Sequence, residues 1–350
     1  MNAKRNITID IMKGLLIILM VAGHAQVPIH RFIYLFHMPA FFLISGWLYK
    51  STDNGDLFFF IKRKLKGLYK PYVKWNLICL AILIAFPILQ QHDAAIPNTL
   101  GNISASVIKI FAFRGRTILS DPSWFVYVLF FATIIYNFVS KRLSAIQVGG
   151  VICVSFIVTY YVIPNKLEID NIGSALLLLW LGHLLRVLYN NIDPKHMTAP
   201  WILLQTLVSA TVLTALLFFT DKELRLIDNE LIAPSYFIVA SLAGFTFIGC
   251  ISKIITKLKF LSHSLAYVGR HTLIILFTHI IVFKIVGLLQ IYFYELNISE
   301  ISNYPICYKD RFSWIYYTIA GMGLPLLYEF IGNKAALYNE RRKQSKTCSE

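Results

Sequence analysis

The sequence predicts an all-α, polytopic membrane protein with about ten transmembrane helices and both termini in the cytoplasm. Three observations carry this expectation. Hydrophobic residues make up 57% of the chain and charged residues 15%, with a mean hydropathy of +0.62; a soluble chain of this length carries far more charge. Apolar segments of roughly twenty residues, enough to cross a bilayer core as a helix, recur along the chain. The basic residues between them alternate in density in the way the positive-inside rule describes.

Taken in order, the first span is expected near 7–27. It contains Asp10 and Lys13 and is followed by no small-residue cleavage site, so it reads as a retained span rather than a signal peptide. The second, near 32–50, carries His37 and Pro39. Residues 51–71 follow as a cytoplasmic loop with the amphipathic, basic run Leu57-Phe-Phe-Phe-Ile-Lys62-Arg63-Lys64-Leu-Lys66, ending at Pro71, which should lie in the membrane interface. A third span near 72–91 leads to the largest outer loop, 92–122, with a second amphipathic stretch at Ile103–Phe113. Spans near 123–140, 145–163, 171–190, 200–219 and 231–251 come next. The ninth, 267–293, is long enough to tilt or break, and the tenth runs near 312–333.

With the N-terminus inside, 22 of the 33 Lys and Arg fall in cytoplasmic segments and nine in outer ones, leaving only Lys13 and Lys284 within spans. This distribution explains the net charge of +15 without nucleic acid. The five cysteines, Cys79, Cys153, Cys250, Cys307 and Cys348, have no paired spacing that would frame disulfides or a zinc site, and no metal is expected. With no internal repeat and no Gly-rich phosphate loop, residues 1–350 read as a single membrane domain ending in a basic tail over 334–350.

Lys13 and His24 are the most informative pair. Eleven positions along a helix bring both side chains within about 20° of one face and set them roughly 16 Å apart along the axis, about half a bilayer core. Lys13 within a span would cost about 3 kcal/mol if nothing compensated it, and an ionisable group there points to function. The competing reading has Lys13 snorkelling to one surface while His24 sits at the other. Asp10, three residues before Lys13, is placed to pair with it.

Lys13-x10-His24, together with Phe36-His37-Met-Pro39-Ala-Phe-Phe-Leu-Ile-Ser45-Gly46-Trp47, closely resembles the membrane acyltransferase 3 family, in particular its fucose 4-O-acetylase-like branch. Further elements are similar to that family's pattern: the basic Arg63-Lys-Leu-Lys-Gly-Leu-Tyr-Lys-Pro71, then Pro122-Ser-Trp124-Phe, then Gly269-Arg270-His-Thr-Leu followed by Phe277-Thr-His279. One departure stands out. Lys13 replaces the family's usual arginine, turning a bidentate contact into a point charge.

The resemblance implies an enzyme of the cell (inner or plasma) membrane that moves an acyl group, usually acetyl, from cytoplasmic acyl-coenzyme A to a hydroxyl of a sugar, glycolipid or polysaccharide. Acetyl-coenzyme A would be a substrate, and no permanently bound cofactor is expected. A thioester is already activated, so the task left to the protein is to deprotonate the acceptor and stabilise the oxyanion. His24 is the candidate base. Asp10 would orient Lys13, and Lys13, Lys62, Arg63, Lys64 and Arg270 would meet the donor's phosphates. For Lys62–Lys64 an anchoring role on anionic lipid is equally open. His37 is either a proton relay or a structural group beside Pro39. Ser45 either packs helix to helix or touches the site. Trp124 is an interfacial anchor or a sugar platform. His279 and Lys284 face the interior of the ninth span, and His183 lies near a cytoplasmic end. The rival reading is a proton-coupled transporter, which intramembrane Lys and His would also suit, although no second half of the chain repeats the first.

Overall fold

Inside a bilayer every backbone polar group must be satisfied within its own segment, and the regular structure of the described residues is helical. The computed structural model describes residues 6–50, 57–90, 100–162, 171–191, 198–219, 221–228 and 230–347. Lys4, Arg5, Lys166, Lys195 and Cys348, which entered the charge and cysteine arguments, lie outside them. The helices are α1 (Ile7–His24), α2 (His30–Tyr34), α3 (His37–Trp47), α4 (Leu57–Lys64), α5 (Lys70–Ala85), α6 (Leu100–Phe111) and α7 (Trp124–Ser140). They continue with α8 (Ala145–Tyr161), α9 (Asn171–Asn190), α10 (Ala199–Phe219), α11 (Pro234–Ile255), α12 (Lys259–Arg270), α13 (Thr272–Tyr294) and α14 (Ser313–Thr347). Among the described residues there is no strand, only an isolated bridge between Arg225 and Glu230.

Among the described residues, seven helical segments are long and apolar enough to cross a membrane, against ten spans expected: α1, the continuous run Leu57–Ala85, Ile118–Ser140, α9, α10, α11 and α13. The differences have local causes. The expected span 32–50 is two short helices. The chain leaves helical geometry at Phe36, φ −143°, and restarts so that Pro39 sits in the first turn of α3, where its missing N–H costs nothing. The expected span 145–163 is α8, 17 residues long and started by a Ser144/Gln147 capping box. The tenth is the first part of α14. The basic stretch expected as a loop ending at Pro71 is instead helix, continuous with α5. Pro71 cannot donate to Gly67, and the helix slips into a π turn over Leu65–Tyr69 just ahead of it. The long ninth span breaks at His271, φ −111° and ψ 22°, into α12 and α13.

α1 is the central element. Asn6 caps it, its side chain accepting from the backbone N–H groups of Thr8 and Ile9. It packs against α12, α11, α3, α14 and α13. Its crossing with α12 is backbone on backbone: a Cβ at Gly14 would fall 2.2 Å from the Leu265 carbonyl oxygen, and one at Gly269 would fall 1.8 Å from that of Asp10. Small residues allow this approach where lipid supplies no hydrophobic drive. On α13, buried Lys284 donates to the Ile301 carbonyl at 2.8 Å and also to that of Asn303. It thereby holds the 298–305 segment across one end of the bundle.

Candidate functional site

α1 ends in one cavity and passes another at Lys13. The first, about 340 Å³, is lined by His24, His37, Tyr34, Asp121, Trp124 and Tyr304 among others. His24, the last residue of α1, faces His279 of α13 at a ring-centroid distance of 5.2 Å. His279 is fully buried, and its Nδ1 donates to the Ile275 carbonyl at 2.9 Å. A carbonyl only accepts, so the neutral ring carries its proton on Nδ1 and Nε2 keeps a lone pair. That Nε2 is buried with no hydrogen-bond partner among the described residues. His37 is fixed the same way, Nδ1 donating to the Ile33 carbonyl at 2.9 Å, and its ring lies 5.2 Å from that of Tyr34. Backbone carbonyls thus preset two imidazoles as acceptors at Nε2.

The wall opposite is polar. Arg116 Nε lies 3.2 Å from Asp121, and the Tyr304 hydroxyl donates to the same carboxylate at 3.2 Å. Burial first, and then the Asp121 carboxylate, hold the Tyr304 hydroxyl well above the usual phenol range, so it remains a donor. Glu223, paired with His30 at 2.9 Å, and Arg225, paired with Asp228 at 2.8 Å, contribute charges of both signs. Trp124, the first residue of α7, lines this cavity and is 6% exposed.

The second cavity is also about 340 Å³ and takes Lys13 and Arg270 in its wall, with Lys74, Trp75, His271 and Tyr328. The two cavities stand back to back. α13 contributes Leu276 to the first and its neighbour Phe277 to the second; α1 contributes Met20 and Lys13 respectively. Between them Leu16 and Ile17 are wholly buried. A third cavity, about 300 Å³, is lined by Ser45, Tyr49, Lys50, Arg63, Lys64 and Tyr136 among others. It shares no lining residue with the second.

The expected site residues therefore separate into groups. His24, His37 and Trp124 share one cavity, and His279 touches it through His24. Lys13 and Arg270 share another. Arg63 and Lys64 line the third and also bracket the buried Phe60 ring, each 5.3 Å from its centre; Lys62 is exposed and lines none of them. Ser45 is not with the histidines. Its hydroxyl donates to the Phe41 carbonyl at 2.9 Å, a bond within its own helix. Asp10 is buried at the Lys13 end of α1, under Gly269, and lines none of the three cavities. Lys284 holds a loop rather than a reacting group. His183 bonds Tyr136 at 2.7 Å beside the third cavity. Asp121, Tyr34, Glu223 and Tyr304 were not anticipated. Asp121 had a signal, standing one residue before the Pro122-Ser-Trp-Phe element; Tyr304 reaches the site only by tertiary packing. Among the described residues no three His, Cys, Asp or Glu side chains are grouped to hold a metal.

Nodulation protein NolL of Sinorhizobium fredii (strain NBRC 101917 / NGR234) is 46% identical over 61 residues, covering 14% of this chain and 17% of that protein. No solved structure matches. The profile described as the acyltransferase domain fits residues 6–340, from the cap of α1 into the last helix. The α1 helix, both cavities it joins and the partition between them lie inside that match, and the chain belongs to the acyltransferase 3 family, a membrane acyltransferase.

Proposed function

We propose that the protein is an O-acyltransferase of the cell (inner or plasma) membrane. It moves an acyl group, acetyl in the first instance, from cytoplasmic acyl-coenzyme A to a hydroxyl of an envelope sugar, as in the sugar-acetylating branch of the family. The observation that carries this reading is the placement of α1. One helix presents Lys13 to a cation-lined cavity and His24 to a histidine-lined one, about 16 Å apart along the axis. A donor with a phosphate-bearing head and a thioester at the end of a long thin arm fits such a pair. The positive-inside bias puts the Lys13 end, with both termini, in the cytoplasm and the His24 end outside.

In this reading the sugar sits in the histidine cavity, with Trp124 as a flat platform and Asp121 and Glu223 accepting from its hydroxyls. His24 takes the proton of the attacking hydroxyl. The oxygen adds to the thioester carbonyl, and the tetrahedral oxyanion collapses with cleavage of the C–S bond. The thiolate released is protonated by the imidazolium formed at His24, which restores the base. His279, with its lone pair held beside His24, keeps the ring positioned. Lys13 and Arg270 hold the donor's phosphates at the other end, and nothing in this sequence of steps requires a bound cofactor.

The test is mass spectrometry of surface glycans from cells carrying the wild-type gene, a deletion or His24→Ala. An acyl mass increment should appear only with wild type. An increment that survives His24→Ala at full level removes His24 as base. The absence of any gene-dependent increment, with uptake of a sugar or protons into vesicles, gives the molecule to the transporter class.

A further inference from the structure

The cation cavity contains a feature that acyl transfer by itself does not explain. Beside Lys13 and Arg270 it is walled by an aromatic pair from two helices far apart in sequence, Trp75 of α5 and Tyr328 of α14. Their rings meet edge to face, centroids 6.3 Å apart and planes at 73°. Trp75 is half-buried, while Tyr328 is 57% exposed. Lys74 places its ammonium 5.2 Å from the centre of the Trp75 ring, so cation and aromatic surface form one unit. Residues 271–274, the start of α13, complete the wall. No side chain caps that helix at His271, and its first N–H groups add partial positive charge on the same side. Glu329 is the one carboxylate among the lining residues, against three cations.

Flat aromatic surface next to clustered positive charge, in a cavity large enough for a nucleoside, is the arrangement that holds a base by stacking and its phosphates by charge. We propose that Trp75 and Tyr328 form the platform for the purine ring of the acyl donor, with Lys74, Lys13 and Arg270 receiving its phosphates. This rests on the donor being acyl-coenzyme A. It separates the donor into two parts. The nucleotide stays in the Trp75 cavity, and only the arm that carries the thioester crosses between α1 and α13 toward His24. The alternative role for Trp75 and Tyr328 is interfacial anchoring, which would act on folding and not on one part of the donor.

The experiment uses the full-length protein in nanodiscs and measures binding of coenzyme A, of adenosine 3′,5′-bisphosphate and of pantetheine. Trp75→Leu should weaken coenzyme A and the bisphosphate by about 5- to 150-fold, the range for loss of one stacking aromatic, and leave pantetheine unchanged. Trp75→Phe should keep most of the affinity. Tyr328→Leu, at an exposed position that a fold tolerates, should weaken the same two ligands and spare the third. Undiminished coenzyme A binding in Trp75→Leu and Tyr328→Leu overturns the platform and leaves the donor reading standing. A parallel loss for pantetheine makes the pair structural and overturns it as well. If the wild-type protein binds none of the three, the donor reading itself fails and the platform with it.

Discussion

The two ends of α1 are built on opposite principles. At the His24 end the imidazoles are buried and preset: His37 and His279 are each held by a carbonyl four residues back, and the 298–305 segment is tied down by Lys284. At the Lys13 end the groups are charged and largely solvated, on flexible stems around an open cavity. The difference fits what each end would do in the proposed reaction. Proton transfer and oxyanion stabilisation gain from low dielectric and fixed geometry, and imidazole can enter such a place without carrying a charge. Capture of a soluble polyanion needs full charges, and those are costly to bury. One helix can serve both only because its ends lie at different depths.

Four measurements would break or sharpen this comparison. The largest effect is topological. Cysteines introduced at Ser302, beside the histidine cavity, and at Lys74, in the wall of the cation cavity, should label from opposite faces of the membrane only. Labelling of both from one face ends the idea of a trans-membrane pair of sites.

Next is the base. His24→Ala should fold and bind donor while transfer falls by at least about 10², the lower bound for general base catalysis. His279→Phe sharpens the assignment. Removing a buried, unpartnered nitrogen in favour of an apolar ring should leave stability unchanged or higher, and any fall in turnover then reports the loss of a positioning contact to His24. Turnover equal to wild type in His279→Phe would confine the chemistry to His24 and His37.

The third effect is smaller. Lys13→Ala should weaken coenzyme A binding by about 1.5–3 kcal/mol, the worth of a charge-assisted contact, and Lys13→Arg should restore most of it. The sugar affinity should not move, because Lys13 does not line that cavity. Calorimetry showing equal donor affinity in Lys13→Ala would assign Lys13 to helix packing.

The smallest expected effect is at Tyr304. Tyr304→Phe removes one hydrogen bond to Asp121, which keeps Arg116, so thermal stability should drop by about 1 kcal/mol. A KM for the acceptor that rises while kcat holds would place Asp121 on the sugar. No change in either would leave it a structural ion pair.

How far the residues alone could be read depends on the range of the interactions. α1 and α9 begin and end close to where hydropathy put them, because a helix in lipid satisfies its own backbone and local apolar content suffices to define it. The expected span 32–50 is drawn unbroken, and 267–293 is expected only to be long enough to tilt or break; both are broken. Pro39 accounts for the first break. The second, at His271, lets Gly269 touch the backbone of α1, a demand set by a helix more than 250 residues earlier. The stretch 51–71 was read as a surface loop, since its amphipathic pattern does not tell an isolated interfacial helix from one that runs on into a span through a π turn.

The sequence by itself determined which segments are apolar and which face of α1 carries Lys13 and His24. Both follow from helical geometry and hydropathy, which act over a few turns. Only the tertiary structure decided that His279 touches His24, that Asp121 and Tyr304 close the same cavity, and that Arg63 and Lys64 line a chamber apart from Arg270. Those outcomes hang on how helices rotate and cross. In a membrane that is set by close packing of small residues such as Gly14, Gly46, Gly182 and Gly269, and a backbone contact between two distant glycines leaves no periodic trace in either segment.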